Sequence, residues 1–566
     1  MANQVFKPYN QNQNLLFPPN LSELIPKEHP VRLVSVVVDK LDIGTILSTY
    51  KGGGTSSYHP KMLLKVLIFG YLNNIYSSRK IENAIKSNIY FMWLAAYEQP
   101  DHGTINYFRS NRLKKDIKKI FAEIVLMLVD AGVISLKTQY TDGTKIEATS
   151  NKYTFVWKKS VERYKADLEQ KVNSILKEID LVIEEDCTEN NPETSSSAVN
   201  SKELEQKIKE LNKKIAEKDL DKKSKKKLST KVKNLKKKSL PKLQEYEIKL
   251  RILGQRNSYS KTDHDATFMR MKDDHMKNGQ LKPAYNLQYS TESTFITNYS
   301  LHQNPGDTAT LISHLEQFNR LYSRYPEEEV ADAGYGSEQN YDYLEQINTE
   351  AYVKYNWFHK EQSTKFKQDI SRVENLHYNN TADYFVCPMG QRMLPVREST
   401  RESKLGYISE ITRYRAQNCQ NCPINGACHK QQGNREIQVN HKLRKFREQA
   451  KERLKSQKGI KHRKQRCAEV EQVFGQIKSN KGFNRFLLRG LEKVSIEIGL
   501  ISIAHNIQKL FNRLQEPENR ESFLAFYENI FCFLFLFSKN EKNKSKNIGF
   551  EENKKNDHHI RIKIAA

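Results

Sequence analysis

Three carboxylates stand in settings that could serve phosphodiester chemistry. Asp142 lies in KTQYTDGTKIEATSNKY, Asp332 in EEEVADAGYGSEQNY and Glu471 in RCAEVEQVFGQIKSNKGFNRFLLRG. Cutting or joining a phosphodiester needs an oxygen nucleophile in line with a leaving oxygen, and two divalent ions about 4 Å apart activate one and stabilise the other. Mg2+ prefers oxygen donors and keeps several waters, so two or three carboxylates from separate elements suffice. The chain carries 93 Lys+Arg against 67 Asp+Glu, a net charge of +26 and a pI near 9.4. A surplus of that size favours a polyanionic partner. Asp-Asp-Glu in such a chain therefore points to metal-dependent chemistry on nucleic acid. Each acid alone has a plainer reading, since an Asp followed by a small residue is usually a turn residue. Asp263, Asp265, Asp273, Asp274 and Asp307 compete, as does Glu469 beside Glu471.

The elements around these acids change period along the chain. HPVRLVSVVVDKL, PKMLLKVLIFGYLNNIY, SRKIENAIKSNIYFMWLAA and INYFRSNRLKKDIKKIFAEIVLMLVDAGV carry apolar residues at helical spacing. They predict a helical domain over 1–130, with Arg79 and Arg109 among its DNA-facing cations. ISLKTQYTDGTKIEA reads as a strand with Asp142 at or near its end. Between 160 and 255, Leu and Ile recur at heptad-like spacing among Lys and Glu around a polar SSS break, which predicts an inserted coiled-coil arm. PAYNLQYSTESTFITNYSLHQ then reads as a meander, Asp307 as the N-cap of a helix, and EEEVADAGYG as a strand ending at Asp332. Alternating strands and helices around the acids suggest an α/β core. In the helix that follows, Val470, Val473, Phe474 and Ile477 cluster on one side. Glu471 and Lys478 lie two turns apart beside them, and Arg485 and Arg489 follow, cations suited to phosphate.

The chain resembles bacterial insertion-sequence transposases of the DDE type, and more narrowly the insertion-sequence eleven-eighty-two group. The resemblance runs to about residue 512. It is carried by SYHPKMLLKVLIFGY, IYSSRKIE and PDHGTINYFR, then by TDGTKIEATSNKYTFVWKKS, KTDHDATFMRMKDDHMKNGQLKPAYNLQ and DAGYGSEQNY, and last by VEQVFGQIKSNKGFNRFLLRGLEKVSIE and AHNIQKL. It implies a ribonuclease-H-like core with Asp142 and Asp332 on strands and Glu471 on a helix. It also implies Mg2+ (or Mn2+), as two ions, strand cleavage and strand transfer at terminal inverted repeats and target DNA, and a homo-oligomer on the DNA. Related transposases carry a Tyr-x2-Arg-x3-Glu-x6-Lys signature. Glu471 and Lys478 match its second half, but Lys464 and Cys467 occupy the Tyr and Arg positions, with Arg463 and Arg466 nearby and out of register.

Cys387 opens CPMG, and CQNCPINGACH places Cys419, Cys422 and Cys428 together, followed by His429. That spacing fits a structural Zn2+ site, with free reduced thiols or an iron–sulfur cluster as the alternatives. Cys187, Cys467 and Cys532 are isolated and read as unligated. The polar opening MANQVFKPYN is not a secretory leader, and IFCFLFLF (530–537) is shorter than the about 20 apolar residues a bilayer span needs. A bacterial cytoplasmic, nucleoid-associated protein with no membrane partner is expected.

The expected architecture is thus an α/β ribonuclease-H-like catalytic core with an N-terminal helical domain, an inserted coiled-coil arm and a Cys-rich insertion. Its segments are a helical DNA-binding domain (1–130), core pieces at 131–159, 256–370 and 441–515, the arm (160–255), the Cys-rich insertion (371–440) and an apolar then Lys/Asn-rich tail (516–566). The expected function is a DNA transposase. The alternatives are a metal-dependent nuclease that does not join, or an inactive DNA-binding relic.

Overall fold

Proline starts the first two long helices. Pro30–Lys40 and Pro60–Leu72 each begin with Pro at the first turn, where its missing N–H costs nothing. His29 and His59 cap them, their Nδ1 atoms accepting from Val31 N and Lys61 N at 3.2 Å each. The computed structural model describes residues 20–50, 56–184, 200–217, 222–271, 279–403 and 405–516. The apolar tail, the SSS break, Cys187, Cys532, Asp273 and Asp274 lie outside these.

Pro60–Leu72 is buried almost all round, so it needs cover on every side. Pro30–Lys40 packs on it, and so does the helix Leu491–Leu514 from the far end of the chain. Leu64, Leu67 and Phe121 share one apolar core with Val494, Ile498, Ile501 and Leu510. The helical domain expected over 1–130 therefore shares its core with a segment more than 350 residues further along the chain. Among the described residues no helix is long and apolar enough to cross a membrane.

Eight strands follow in chain order up to the second acid's neighbourhood: β1 (Thr138–Glu147), β2 (Phe155–Trp157), β3 (Ser258–Ser260), β4 (Thr267–Arg270), β5 (Leu281–Glu292), β6 (Phe295–His302), β7 (Glu328–Ala331) and β8 (Glu350–Val353). β4 and β6 both pair with β5, and the sheet continues β5-β1-β7-β8. β5 is antiparallel to β1, whereas β1, β7 and β8 are parallel. This mixed α/β sheet is consistent with a ribonuclease-H-like fold. β2 pairs with β3, and the described residues between them are mostly helical: Lys158–Glu184, Ser201–Glu217, and Lys222–Asn234 running through a π-helical turn (Leu235–Ser239) into Leu240–Leu253. Their Leu, Ile and Val residues, among them Leu176, Leu204, Leu211 and Leu228, form a separate apolar cluster.

After β8 a second antiparallel sheet stands between the second and third acids. It comprises β9 (His377–Asn379), β10 (Tyr384–Val386), β11 (Arg392–Glu402), β12 (Ile408–Ala416) and β13 (Glu436–Val439), around Phe385, Met393, Tyr414 and Ile437. The helix His441–Lys455 leads back to the core sheet. A sharp corner at Ser456 starts the helical run Gln457–Asn480, which carries Glu471.

Candidate active site

Asp142 lies in the middle of β1 rather than at its end, but at the point where β1 loses one neighbour. The last paired position between β1 and β7 is Thr141 with Ala331. Asp142 and Asp332 are the next residue on each strand, so two parallel strands deliver both carboxylates to one edge of the sheet. Asp332 opens a 3-10 turn, and its Oδ1 accepts from Gly334 N at 2.8 Å. β1 continues past this edge because β5 still pairs with it through Glu147.

Side chains alternate along a strand, so Asp142 shares a face with Tyr140. The run Gln457–Asn480 crosses that face. Tyr140 Oη and His462 Nδ1 are 2.9 Å apart, Phe474 stacks on Tyr289 (the partner of Asp142 across the sheet), and Val470 packs in the same core. Arg466 Nη1 donates to Asp142 Oδ2 at 3.2 Å, and both residues are 8% exposed. Asp142 Oδ1 accepts from Gly143 N at 2.8 Å.

The two neighbouring glutamates have different settings. Glu469 is buried. Its Oε2 accepts from Thr294 N at 2.5 Å in the β5–β6 hairpin, and its Oε1 from Gln465 Nε2 at 3.1 Å. Glu471 is exposed, at the end of the π-helical turn Cys467–Glu471. Cys467 begins that turn and lies near Lys354, the residue beside Asp332 across the β7–β8 pair; burial and then the Arg466 guanidinium hold the Lys354 ammonium below its ordinary range. The helix thus brings Arg466 and Cys467 to the acid edge. A π turn takes one residue more than an α turn. Arg466 and Glu471, five apart, are thus one turn apart, as residues four apart are in a regular α-helix. This accounts for the arginine that the sequence showed out of register. A second π turn, Gln476–Asn480, falls under Lys478, so the seven residues from Glu471 no longer span two regular turns.

Asp307 stands close to the Asp332 turn: a Cβ at Gly334 would lie 3.0 Å from Asp332 Oδ1 and 3.8 Å from Asp307 Oδ2. It does not cap the following helix; that position is Thr310, and Asp307 Oδ1 instead accepts from Asn286 Nδ2 (2.8 Å) and Gln288 Nε2 (3.0 Å). A Cβ at Gly143 would come within 2.6 Å of Asp307 Oδ1, which explains a glycine inside a strand. Since Gly143 opens on the face opposite Asp142, Asp307 approaches from behind the edge. Asp263 accepts from Tyr285 Oη at 2.9 Å, and Asp265 from Leu491 N at 2.9 Å, so both tie the core together.

The rear face is polar and buried. Gln139, Thr141, Ser290, Asn298, Ser300 and His314 lie there with Glu329, which is wholly buried with only the Thr141 hydroxyl to offset that burial. Burial raises its carboxyl from an ordinary 4.5 to about 8. The folded state thus holds this proton more tightly than the unfolded chain. The contribution is full below about pH 4.5 and is lost as pH rises through 8. Glu329→Gln is expected to raise the thermal midpoint at pH 9 and to leave it nearly unchanged at pH 5. Equal shifts at both pH values would mean that Glu329 is not held protonated.

The sequence-derived cations fall into two groups. Arg79, Arg485 and Arg489 are exposed, and Lys478 is half-buried. Glu147 N donates to Asn484 O and Phe486 N to Glu147 O, so the segment around Arg485 pairs with the far end of β1. Arg485 then reaches the carbonyls of Ala148 and Ser150, and Arg489 that of Thr149. These two cations stand along the continuation of the strand that carries Asp142. Arg109 does not join them. It is 3% exposed, donates to Tyr76 O at 2.7 Å and Tyr71 Oη at 3.4 Å, and helps hold the helical core, so its guanidinium has no face for phosphate.

Cys387, Cys419, Cys422 and Cys428 are free thiols, and Cys467 is exposed. Among the described residues no group of three or more His, Cys, Asp or Glu side chains is already arranged to hold a metal ion.

Residues 386–511 match the family model described as a transposase DDE domain, and residues 19–111 match that described as a transposase domain (DUF772). The chain thus carries a DDE-type transposase domain and a second transposase domain. Glu471, Lys478, Arg485 and Arg489 lie inside the first match; Asp142 and Asp332 lie outside both, and geometry alone brings them to the same edge. No curated protein and no solved structure matches the chain.

Proposed function

We propose that this protein is a DNA transposase that binds the terminal inverted repeats of an insertion sequence and, with Mg2+, cleaves and joins strands there. The observation that carries this reading is the adjacent placement of Asp142 and Asp332 at one sheet edge, in a chain whose later part is a DDE transposase domain. Within that class the sequence boxes favour the insertion-sequence eleven-eighty-two group.

The donors at the edge are all carboxylate oxygens, which suits a hard cation. The Arg466 guanidinium beside Asp142 shows that the position already favours positive charge. Asp142 and Asp332, with Glu471 from the helix, would hold Mg2+ or Mn2+. The bound ions would supply the Lewis acidity that activates an attacking oxygen and offsets charge on a leaving one. Arg485 and Arg489 would bind and orient the DNA backbone along the continuation of β1, Lys478 would contact phosphate from the helix, and Arg79 would reach DNA from the helical head. The helices of 158–253, as an arm, would reach DNA or a second subunit, since pairing two element ends requires at least two copies.

The test is cleavage of a labelled duplex carrying the element's own ends, in Mg2+, by the parent chain, Glu471→Gln and Glu469→Gln. The parent should cut at the end and give a joined product. Glu471→Gln should bind and cut at least about a hundred-fold more slowly. Glu469→Gln should cut but melt earlier, having weakened its grip on the hairpin at Thr294. Cutting without joining by the parent would make the protein a nuclease, and binding without cutting a relic. If only Glu469→Gln loses cleavage, Glu469 and not Glu471 is the third acid.

A further inference from the structure

The cysteines of the second sheet meet in space. Cys387 stands just after β10, Cys419 and Cys422 in the turn after β12, and Cys428 at the end of a short helix before β13. All four line one cavity of about 20 Å3, and His429 lines it too. That is room for a single small ion. The Cys387 turn is built around its sulfur: Gly390 N donates to Cys387 O at 2.9 Å, and Gln391 N to Cys387 Sγ at 3.3 Å. Arg435 N donates to Cys419 Sγ at 3.3 Å and Arg435 Nη1 to Cys428 Sγ at 2.9 Å. N–H donors aimed at sulfur are the contacts a metal-bound sulfur receives from its surroundings.

Two further observations fit a metal–thiolate group at this place. Both ring nitrogens of His429 are buried without a hydrogen-bond partner, which is costly unless something binds them. Arg435 is 3% exposed, and its other guanidinium acceptors are the carbonyls of Ile370 (3.2 Å) and Ser371 (2.7 Å). None of these is a carboxylate, so the buried guanidinium lacks a counter-charge. A zinc ion with three or four thiolates carries net negative charge and would provide one.

We propose that Cys387, Cys419 and Cys422, with Cys428 or His429 as the fourth ligand, bind a structural zinc ion. The thiols surround the cavity without converging on one point, so binding would draw the sulfurs inward. Four protein ligands leave no open position, so this zinc braces the second sheet and performs no chemistry.

The full chain, purified from zinc-containing medium without chelator, should carry about one zinc per chain by elemental analysis. Cys419→Ser and Cys422→Ser should fall to background, while Cys467→Ser, altering the exposed thiol outside the cavity, should keep its metal. Because a ligand variant can lose zinc by misfolding, the parent is also exchanged with Co2+. Thiolate-to-cobalt charge transfer with tetrahedral d–d bands is expected. Comparing Cys428→Ser with His429→Gln then identifies the fourth ligand as the one whose loss shifts those bands. A metal-free chain whose thiols all react with a disulfide reagent under native conditions would overturn the site. Iron in place of zinc would overturn the metal.

Discussion

Asp142→Asn is expected to bind DNA as the parent does and to cleave it at least about a thousand-fold more slowly. The amide keeps an oxygen that can accept from Gly143 N, so this contact within the strand survives. What is lost is the charge. Asp142 is buried at the edge where β7 stops pairing, and its carboxylate faces the buried Arg466 guanidinium. Removing one member of a buried pair costs about 3–5 kcal/mol, so the variant should also melt earlier. DNA binding and thermal midpoint, measured beside cleavage at a temperature where both chains are folded, separate a missing catalytic charge from a damaged fold. Asp307→Asn is the control. Asp307 approaches β1 from the face opposite Asp142, its Oδ1 held by Asn286 and Gln288, while its Oδ2 lies near the Gly334 turn that Asp332 opens. Equal loss of cleavage in both variants would place the active edge on the wrong face.

Gly459→Ala is expected to destabilise the chain by about 2–4 kcal/mol and to impair cleavage with it. Gly459 sits in the first turn after the corner at Ser456, whose Oγ accepts from Gly459 N at 3.0 Å. A Cβ there would overlap the Arg453 carbonyl oxygen and lie 2.8 Å from Leu454 Cα. Neither can retreat, because Leu454 is fully buried in the core beside Tyr140 and Val470. Relief would have to come from tilting the run that presents Arg466 and Glu471. Gly475→Ala in the same run is the comparison: its added Cβ would meet nothing within 4 Å, and the loss of glycine inside a helix favours it by up to about 1 kcal/mol. If Gly459→Ala melts with the parent, the two helices do not approach as closely as described.

The two aspartates were legible because each lies in a strand-forming stretch with a small residue next to it. Their adjacency was not, because it depends on the register between β1 and β7, segments separated by almost 200 residues. Asp307 looked like a helix cap because an Asp ahead of an apolar helical stretch usually is one; the glycine at 143 was the available sign that something approaches that strand closely. The arginine at 466 was passed over because a signature counted in regular turns fails where a π turn adds a residue. Arg109 was read as a surface cation since nothing in a local window reveals that Tyr71 and Tyr76 enclose it. His429 was noted in sequence only as the neighbour of Cys428, and its unpartnered nitrogens appear only once the cavity has formed.

The apolar core that Pro60–Leu72 shares with Leu491–Leu514 has a consequence for the order of events during synthesis. At about 5–20 residues per second, the ribosome needs roughly 20–80 s to travel from the end of the early helices to the helix that covers them. Throughout that interval Leu64, Leu67 and their neighbours have no permanent cover. A nascent chain stalled before residue 491 should be cut readily by protease in its first 130 residues, and one stalled well beyond 514 should resist. Completion of translation would then act as a checkpoint, because an interrupted product could not finish even the part of itself that was made first.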